Sequence, residues 1–276
     1  MTEQTPTTQA AKARHFLELH RAERPLLFPN PWDVGSAVLF TSLGFKALAT
    51  TSSGHAATLG RLDGEVTRDE ALAHAAALSA ATELPVAADF ENGFADAPDA
   101  VADAVTAALV TGLAGLSVED ATGRDDAPIY DLGLAGERIA AAANAAHAGP
   151  VRLVLTARAE NYLYGRTDLA DTIARLQAYQ EAGADVLYAP GLTTAEDIRA
   201  VVTSVDRPVN VLARPSGPTV AELAELGVSR VSVGGSFAFA ALKAAVDAAT
   251  EFRDQGTFGF LAAARDGSAA AKKAFG

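Results

Sequence analysis

The sequence contains no cysteine, and it has only one methionine and one tryptophan among 276 residues. The absence of cysteine excludes disulfides, thiolate nucleophiles, and the zinc or iron–sulfur centres that need cysteine ligands. The first residues also lack the apolar segment of a secretory signal. We therefore expect a cytoplasmic protein.

Long hydrophobic runs and an excess of positive charge are missing as well. Hydrophobic residues make up 49% of the chain, but no uninterrupted run approaches the roughly 20 residues that cross a bilayer. The 22 Lys and Arg residues against 34 Asp and Glu residues give a net charge of −12. Because a nucleic-acid surface would need a basic stripe, we expect neither a nucleic-acid partner nor a membrane.

Short apolar runs alternate with Ala-rich segments eight times between about residue 25 and residue 255. The apolar runs predict strands at Leu26–Pro29, Ala47–Thr51, Val86–Phe90, Gly115–Glu119, Arg152–Ala157, Asp185–Ala189, Val209–Ala213 and Arg230–Gly234. In the segments between these runs, apolar residues recur at helical spacing, which predicts amphipathic helices, among them Arg68–Ala81, Asp99–Thr111, Leu169–Ala182 and Thr219–Leu226. Eight such units over about 250 residues predict a (β/α)₈ TIM-type barrel. An open doubly wound sheet is the alternative.

The same pattern divides the chain into three parts. Residues 1–24 are predicted to form a polar tail and a leading helix, and residues 25–255 the catalytic barrel. Residues 256–276 form a C-terminal segment that could pack on a neighbouring subunit. Thr67, followed by Glu70, is typical of a capping box, and glycines just past predicted helix ends fit left-handed caps, namely Gly112, Gly183 and Gly227.

Polar side chains follow seven of the eight predicted strands, at the end of the barrel that holds active sites. Asp89 and Glu119 end neighbouring strands, and a loop adds Asp63. Close carboxylates require a cation or shared protons, and an all-oxygen donor set predicts Mg²⁺, with Mn²⁺ as the alternative. Arg158 would need a partner carboxylate or an anionic substrate.

Several polar residues also allow purely structural interpretations. Asp33 fits a helix cap as well as it fits a site role, and Trp32 fits core packing as well as a lid. His55 alone among the histidines lies in a strand-end loop. The other four are interpreted as solvated: His15, His20, His74 and His147.

Five motifs in series resemble the isocitrate lyase/phosphoenolpyruvate mutase superfamily, over about Pro25 to Phe252. They are NPWDVGSAVLF with GFKALATTSSG, LGRLDGE, PVAADFENGF, GLSVEDA and LTARAENYL. The resemblance implies a barrel whose eighth helix is exchanged between subunits, in a dimer or a dimer of dimers (homotetramer). It also implies Mg²⁺ and a small carboxylate substrate, a 2-oxo acid or its enolate, whose neighbouring C–C or C–P bond is made or broken.

The resemblance also assigns roles residue by residue. Asp89 matches the direct Mg²⁺ ligand, and three acidic positions match residues that hold the metal largely through water, namely Asp63, Glu91 and Glu119. The substrate-binding positions are matched by Trp32, Asp33, Ser53, Gly54, His55, Arg158 and Asn210. The catalytic residues it implies are Asp63, Arg158 and His55.

One segment departs from the family pattern. The loop after strand four, residues 120–130, has no Cys or Lys, whereas the isocitrate-type lyases carry a catalytic Cys there. Its own polar residues are interpreted as solvated: Arg124, Asp125 and Tyr130. The departure argues against isocitrate-type cleavage.

The expected function is a Mg²⁺-dependent lyase or hydrolase that breaks a C–C or C–P bond next to the carbonyl of a small 2-oxo or dicarboxylic acid, through an enolate. One alternative is a phosphonomutase. Another is a sugar-phosphate aldolase or isomerase, because Gly234–Ser236 resembles a phosphate-binding turn. A non-catalytic 2-oxo acid binder is the third.

Overall fold

The computed structural model describes residues 8–276 and confirms the predicted barrel. Its strands are β1 Leu26–Phe28, β2 Leu48–Ala49, β3 Val86–Asp89, β4 Gly115–Glu119, β5 Val154–Arg158, β6 Val186–Tyr188, β7 Val209–Leu212 and β8 Arg230–Ser232. Its helices are α1 Gln9–Leu19, α2 Val34–Ser42, α3 Ser52–Thr58, α4 Arg68–Ala80, α5 Pro98–Ala108, α6 Leu132–His147, α7 Leu169–Glu181, α8 Ala195–Thr203, α9 Val220–Glu225, α10 Ser236–Gln255 and α11 Leu261–Phe275.

The eight strands form one parallel sheet in the order β1-β8-β7-β6-β5-β4-β3-β2. A hydrogen bond from the Ala49 backbone N–H to the Pro29 carbonyl, 3.0 Å long, joins the two outer strands and closes the barrel. Since all strands are parallel, their C-terminal ends meet at one face, which is where the predicted site residues come together.

Helix α1 covers the opposite end of the barrel. Phe16 is fully buried there, and its ring stacks on Phe28 with the centroids 5.3 Å apart. A Cβ at Gly115 would lie 2.9 Å from Phe16 Cε1, so only glycine lets this helix approach β4. Residues 1–7 of the predicted tail lie outside the described residues.

The helix ends confirm the capping residues predicted from the sequence. Thr67 and Glu70 form a reciprocal capping box at the start of α4. The three predicted cap glycines have φ angles of 84°, 104° and 84°, at Gly112, Gly183 and Gly227. These angles strain any residue with a Cβ.

The two C-terminal helices are poorly covered by the rest of the chain. Of the 20 residues of α10, only Ala238 is buried, and α11 has no buried residue, although α11 packs against α2. Large apolar side chains on both helices are exposed, among them Phe239, Leu242, Val246 and Phe275. Within residues 8–276, none of the helices combines the length and apolarity that a membrane crossing requires.

Candidate active site

A cavity of about 1320 Å³ opens at the C-terminal ends of the strands and reaches into the barrel. Seven of the predicted site residues line it: Ser53, Asp63, Asp89, Glu91, Glu119, Arg158 and Asn210. Strand register explains why they meet, because Glu119 pairs with Arg158 and β3 lies directly beside β4.

Arg158 is the centre of this cluster. Its Nη1 lies 2.7 Å from Asp89 Oδ1, its Nη2 3.0 Å from Glu119 Oε2, and its Nε 2.8 Å from Glu160 Oε1. Burial would lower the pKa of the guanidinium, but the three carboxylates hold it well above its ordinary value. The predicted partner carboxylates of Arg158 are therefore present within the protein itself.

Asp89 is held from two directions. Its Oδ1 accepts from Arg158, and its Oδ2 accepts from the backbone N–H of Ser52 at 3.1 Å and from the Ser52 hydroxyl at 3.0 Å. Its own N–H donates to the Thr50 hydroxyl at 2.9 Å. The carboxylate is consequently fixed in orientation at the end of β3.

The carboxylates outnumber the single guanidinium that faces them, and their pKa values reflect this. Burial, followed by the charges of Asp89 and Asp63, raises the pKa of Glu91 to about 8. Burial likewise raises the pKa of Glu119 well above its ordinary value and raises that of Glu160. A group of acids that resists full ionisation attracts an added cation.

The donor chemistry suits a hard divalent cation, although the side chains are not gathered into a finished site. Among residues 8–276, no three His, Asp or Glu side chains already converge on one point as metal ligands. The anionic donors around Asp89 are carboxylate oxygens, which Mg²⁺ prefers. Burial and the charges of Asp89 and Asp63 raise the pKa of Glu91, which a nearby cation would offset, so the residues present fit the ion.

The loop after β3 carries backbone strain at the cavity. Glu91 and Phe94 have positive φ angles of 46° and 57°, which residues with a Cβ rarely adopt. Both line the cavity. Such strain persists only where surrounding contacts impose it.

Arg138 of α6 supplies those contacts. Its fully buried guanidinium donates to the carbonyls of Ala95 at 2.8 Å, Asp96 at 3.1 Å and Glu119 at 3.2 Å, and also to the carbonyl of Asn92. It lies 4.0 Å from the centroid of the Tyr130 ring. One side chain therefore joins the strained loop to the end of β4.

A second buried network supports β4 and β5 from behind. The Asp120 carboxylate accepts from Arg175 at 3.0 Å, from the Tyr179 hydroxyl at 2.5 Å and from the Glu160 backbone N–H at 2.8 Å. Asp120 thus anchors the end of β4 to the chain just after β5, next to the cluster.

The structure corrects the position expected for His55. This residue lies within α3 and not in a loop, and its ring stacks on His74 with the centroids 3.7 Å apart, outside the lining of the large cavity. His74 is half-buried and not solvated, and this burial, followed by the charge of His55, lowers its pKa to about 4. The cause is local: Thr51 caps the chain directly into a helix after β2.

Two other histidines are also misjudged from the sequence. His20 is buried and bonded to Arg230, and His147 lies 2.9 Å from Asp185. Helical position alone could not show that α1 and α6 bring these residues against polar partners.

Besides His55, three predicted substrate-binding residues do not line the cavity: Trp32, Asp33 and Gly54. Asp33 caps α2, accepting from the Ser36 N–H at 2.7 Å, which is the structural interpretation considered for it. Trp32 packs on Phe40. At Gly54, a Cβ would lie 2.6 Å from Thr51 Cγ2 and 3.1 Å from Trp32 Cβ, so the glycine is required for packing.

The 121–130 loop folds back on itself beside the cavity. Ala121 bridges Ile129, and the Thr122 hydroxyl donates to the Ala127 carbonyl at 2.6 Å. Tyr130 was expected to be solvated, but it is buried: it is 4% exposed and its hydroxyl donates to Asp96. Arg124 is half-exposed and also binds Asp96, at 2.9 Å.

The glycine-rich turn after β8 is already occupied by a side chain. The Asn30 Oδ1 accepts from the N–H groups of Val233 at 3.1 Å and Gly234 at 2.9 Å. A Cβ at Gly235 would lie 2.6 Å from Ser53 Oγ. Because Asn30 already accepts from two of its N–H groups, this turn gives no support to a sugar-phosphate function.

Sequence reasoning missed four residues that shape the site: Ser52, Arg138, Glu160 and Arg230. Ser52 stands next to the predicted Ser53, and Glu160 follows Arg158 by two residues. A charged residue inside an apolar strand was a visible signal for Arg230. Arg138 lies on a helix 19 residues after Glu119, and no local pattern connects the two.

The elevated pKa of Glu91 leads to a testable pH dependence. Between the ordinary value of 4.5 and about 8, the folded protein holds a proton that the unfolded chain has released. Stability therefore falls as pH rises through this window. In metal-free buffer above pH 8, we expect Glu91→Gln to raise the free energy of unfolding by about 1–3 kcal/mol, a gain that disappears at acid pH.

Urea denaturation across the pH range measures this effect. Glu181→Gln, which changes an exposed glutamate at the end of α7, is the matched control and should show no pH-dependent gain. A Glu91→Gln variant that follows the wild-type pH profile would contradict the assignment.

An eight-stranded parallel barrel with a charged cavity at its C-terminal strand ends is the architecture of a barrel enzyme. The chain matches the phosphoenolpyruvate phosphomutase family model over residues 16–253. It therefore belongs to this family, within the isocitrate lyase/phosphoenolpyruvate mutase superfamily. This membership confirms the predicted family and supports an enzyme that acts on small oxo acids.

Individual relatives agree with this assignment. The chain is 38% identical over 241 residues to the uncharacterized protein Rv1998c of Mycobacterium tuberculosis, covering 87% of this chain and 89% of that protein. A Burkholderia cenocepacia J2315 crystal structure, provisionally described as a lyase/mutase, is 55% identical, with a TM-score of 0.89 over 91% of both chains. Oxaloacetate acetylhydrolase in complex with its product oxalate is 26% identical, with a TM-score of 0.82 over 93% of this chain and 90% of that chain.

Proposed function

We propose that this chain is a Mg²⁺-dependent lyase or hydrolase that breaks a C–C bond next to the carbonyl of a small 2-oxo or dicarboxylic acid. The observation that carries the proposal is the cluster of Asp89, Glu119 and Glu160 around Arg158 in the barrel cavity. The oxalate complex of oxaloacetate acetylhydrolase supports a small carboxylate as the ligand.

Asp89 would be the direct Mg²⁺ ligand, with Asp63, Glu91 and Glu119 holding the ion largely through water. When bound, Mg²⁺ would polarise the substrate carbonyl and stabilise the negative charge of an enolate oxygen. Mn²⁺ offers the same coordination chemistry. The fixed orientation of the Asp89 carboxylate suits this role, because Ser52 and Arg158 already hold both of its oxygens.

Arg158 and Ser53 would hold the substrate carboxylate at the upper part of the cavity. Asp63 lies on the exposed rim, and partial desolvation of its carboxyl group raises its pKa, opposed by Ser52. An elevated carboxyl pKa suits a group that accepts and returns a proton, so Asp63 is the proposed acid–base residue. His55 is assigned instead to the packing behind Ser52.

The direct test is a panel of small acids followed by NMR. Purified protein is incubated with oxaloacetate, substituted malates and phosphonopyruvate, with Mg²⁺ or with EDTA. We expect cleavage of at least one acid with Mg²⁺ and none with EDTA. Equal turnover in EDTA, or no turnover of any acid together with no oxalate binding, would contradict the proposal.

A phosphonomutase is the second candidate, because the matching family model is that of phosphoenolpyruvate phosphomutase. A mutase must interconvert phosphonopyruvate and phosphoenolpyruvate. Phosphorus NMR of the same incubations separates the two reactions, since hydrolysis releases inorganic phosphate and rearrangement does not.

We also propose a homo-oligomer in which α10 and the 256–276 segment pack on a neighbouring subunit. The support is the apolar side of α10, where Phe239 is 49% exposed and Leu242 is 46% exposed. We expect Phe239→Asp with Leu242→Glu to shift the protein to monomer in light scattering, whereas Val110→Asp, at an exposed apolar site elsewhere, should not. An unchanged mass for the double variant would refute this arrangement.

A further inference from the structure

Arg230 is a buried cation at the deep end of the cavity. It is the first residue of β8, it is 4% exposed, and it lines the cavity. Its Nε donates to Asn210 Oδ1 at 2.9 Å and its Nη2 to the Thr156 hydroxyl at 3.1 Å. Because Thr156 belongs to β5, three strands away in the sheet, the guanidinium crosses the interior of the barrel.

The third partner of Arg230 is neutral like the first two. His20 Nε2 lies 3.1 Å from Arg230 Nη1, while His20 Nδ1 lies 2.8 Å from the Phe16 carbonyl. Burial, followed by the charge of Arg230, lowers the pKa of His20 to about 3. The imidazole is therefore uncharged, donating at Nδ1 and accepting at Nε2.

No carboxylate compensates this cation within the described residues. Burial lowers the pKa of Arg230 to about 9; the Tyr188 phenol opposes this shift and the charge of Arg158 adds to it. A guanidinium has five N–H donors, of which the three bonds above use three. A buried cation without an anion is costly. If residue 230 served only to pack the barrel interior, a neutral side chain would avoid this cost.

The space in front of Arg230 suits a ligand. Small side chains line the same cavity as Arg230, among them Ala49, Ala87 and Ser117. Arg230 bonds Thr156, which precedes Arg158 by two residues on the same face of β5 and so lies about 7 Å from it along the strand. A single carboxylate cannot reach both arginines, whereas a chain with an acid at each end can.

We propose that Arg230, with Asn210 and Thr156, forms a subsite for the second carboxylate of a dicarboxylic acid substrate. This inference rests on the proposed function, in which the first carboxylate lies near Asp89 and Arg158. It selects acids whose two carboxylates are separated by about two to four carbon atoms. The subsite also explains why a charged side chain lies at the deep end of the cavity.

Calorimetry with matched acids tests the subsite. Binding of succinate and glutarate is compared with that of butyrate and valerate in Mg²⁺ buffer, and oxalate reports the upper part of the site separately. In the wild type we expect at least one diacid to bind about tenfold or more tightly than its monoacid. Arg230→Met should bring this ratio close to one while oxalate binding persists, and Arg230→Lys should retain part of it.

Arg199→Met, which removes an exposed arginine on α8, is the matched control and should leave the ratio unchanged. A diacid preference that survives in folded Arg230→Met, or its absence in the wild type, overturns the subsite while leaving the oxalate result intact. If the wild type does not bind oxalate, that result argues instead against the proposed function. If Arg230→Met does not fold, a wild-type crystal structure with the tightest diacid decides: a second carboxylate on Arg230 supports the subsite, and one placed elsewhere overturns it.

Discussion

Asp89→Asn is expected to lower Mg²⁺-dependent turnover by about a thousandfold or more, because several kcal/mol of transition-state stabilisation depend on the metal. The amide has nearly the shape of the carboxylate but no charge to offer a divalent cation. It also loses the ion pair with Arg158, which now spans 2.7 Å. Steady-state kinetics over a Mg²⁺ titration, on the acid that the wild type cleaves, measures the effect.

Two comparisons make this result specific to the site. Asp103→Asn changes an exposed aspartate on α5 and should keep wild-type turnover. Circular dichroism should show that the Asp89→Asn barrel remains folded. Near-normal activity of a folded Asp89→Asn protein at low Mg²⁺ would remove Asp89 from the proposed metal site.

Arg138→Met is expected to have the largest effect on stability. The change leaves four carbonyl oxygens of the β3–α5 loop and β4 without their donor. Because buried polar groups that lose a charged partner are destabilising, we expect the free energy of unfolding to fall by about 3–5 kcal/mol in total. The strained backbone at Glu91 and Phe94 would then relax away from its present conformation. Urea denaturation measures the loss.

The role of Arg138 as a positioning residue requires a second measurement. Relaxation of the loop should weaken Mg²⁺ binding at temperatures where the variant is still folded, and Arg138→Lys should restore stability only in part, since one ammonium cannot reach all four carbonyls. Glu137→Gln, on the exposed neighbouring residue of α6, is the control. An unchanged Mg²⁺ affinity in folded Arg138→Met would limit the residue to a structural role.

Much of the fold could be predicted because its signals are local. The alternation of apolar runs and helical segments places every strand within about two residues of its position, which is the usual accuracy for element boundaries. Capping residues and glycines mark helix ends because their effects act over three or four residues. Asp89 and Glu119 could be chosen as site candidates because each ends a buried strand on the functional face of a barrel.

The details of the site depended on contacts between residues far apart in the sequence. Arg158 was expected to meet a carboxylate, but its three partners come from β3, β4 and the residue two places beyond its own strand. His55 could not be separated from the strand-end loop until the structure showed α3 starting immediately after Thr51.

The sequence by itself determined the parallel barrel, the family and the set of acidic strand ends, because periodicity and capping are properties of neighbouring residues. Only the tertiary structure decided that Arg138 holds the strained loop, that Asn30 fills the glycine-rich turn and that Arg230 lies beneath the cavity. These arrangements follow from barrel closure and helix packing, which bring together side chains as much as 210 positions apart. Burial then sets their charges, since the cost of desolvation depends on the surrounding fold and not on the residue alone.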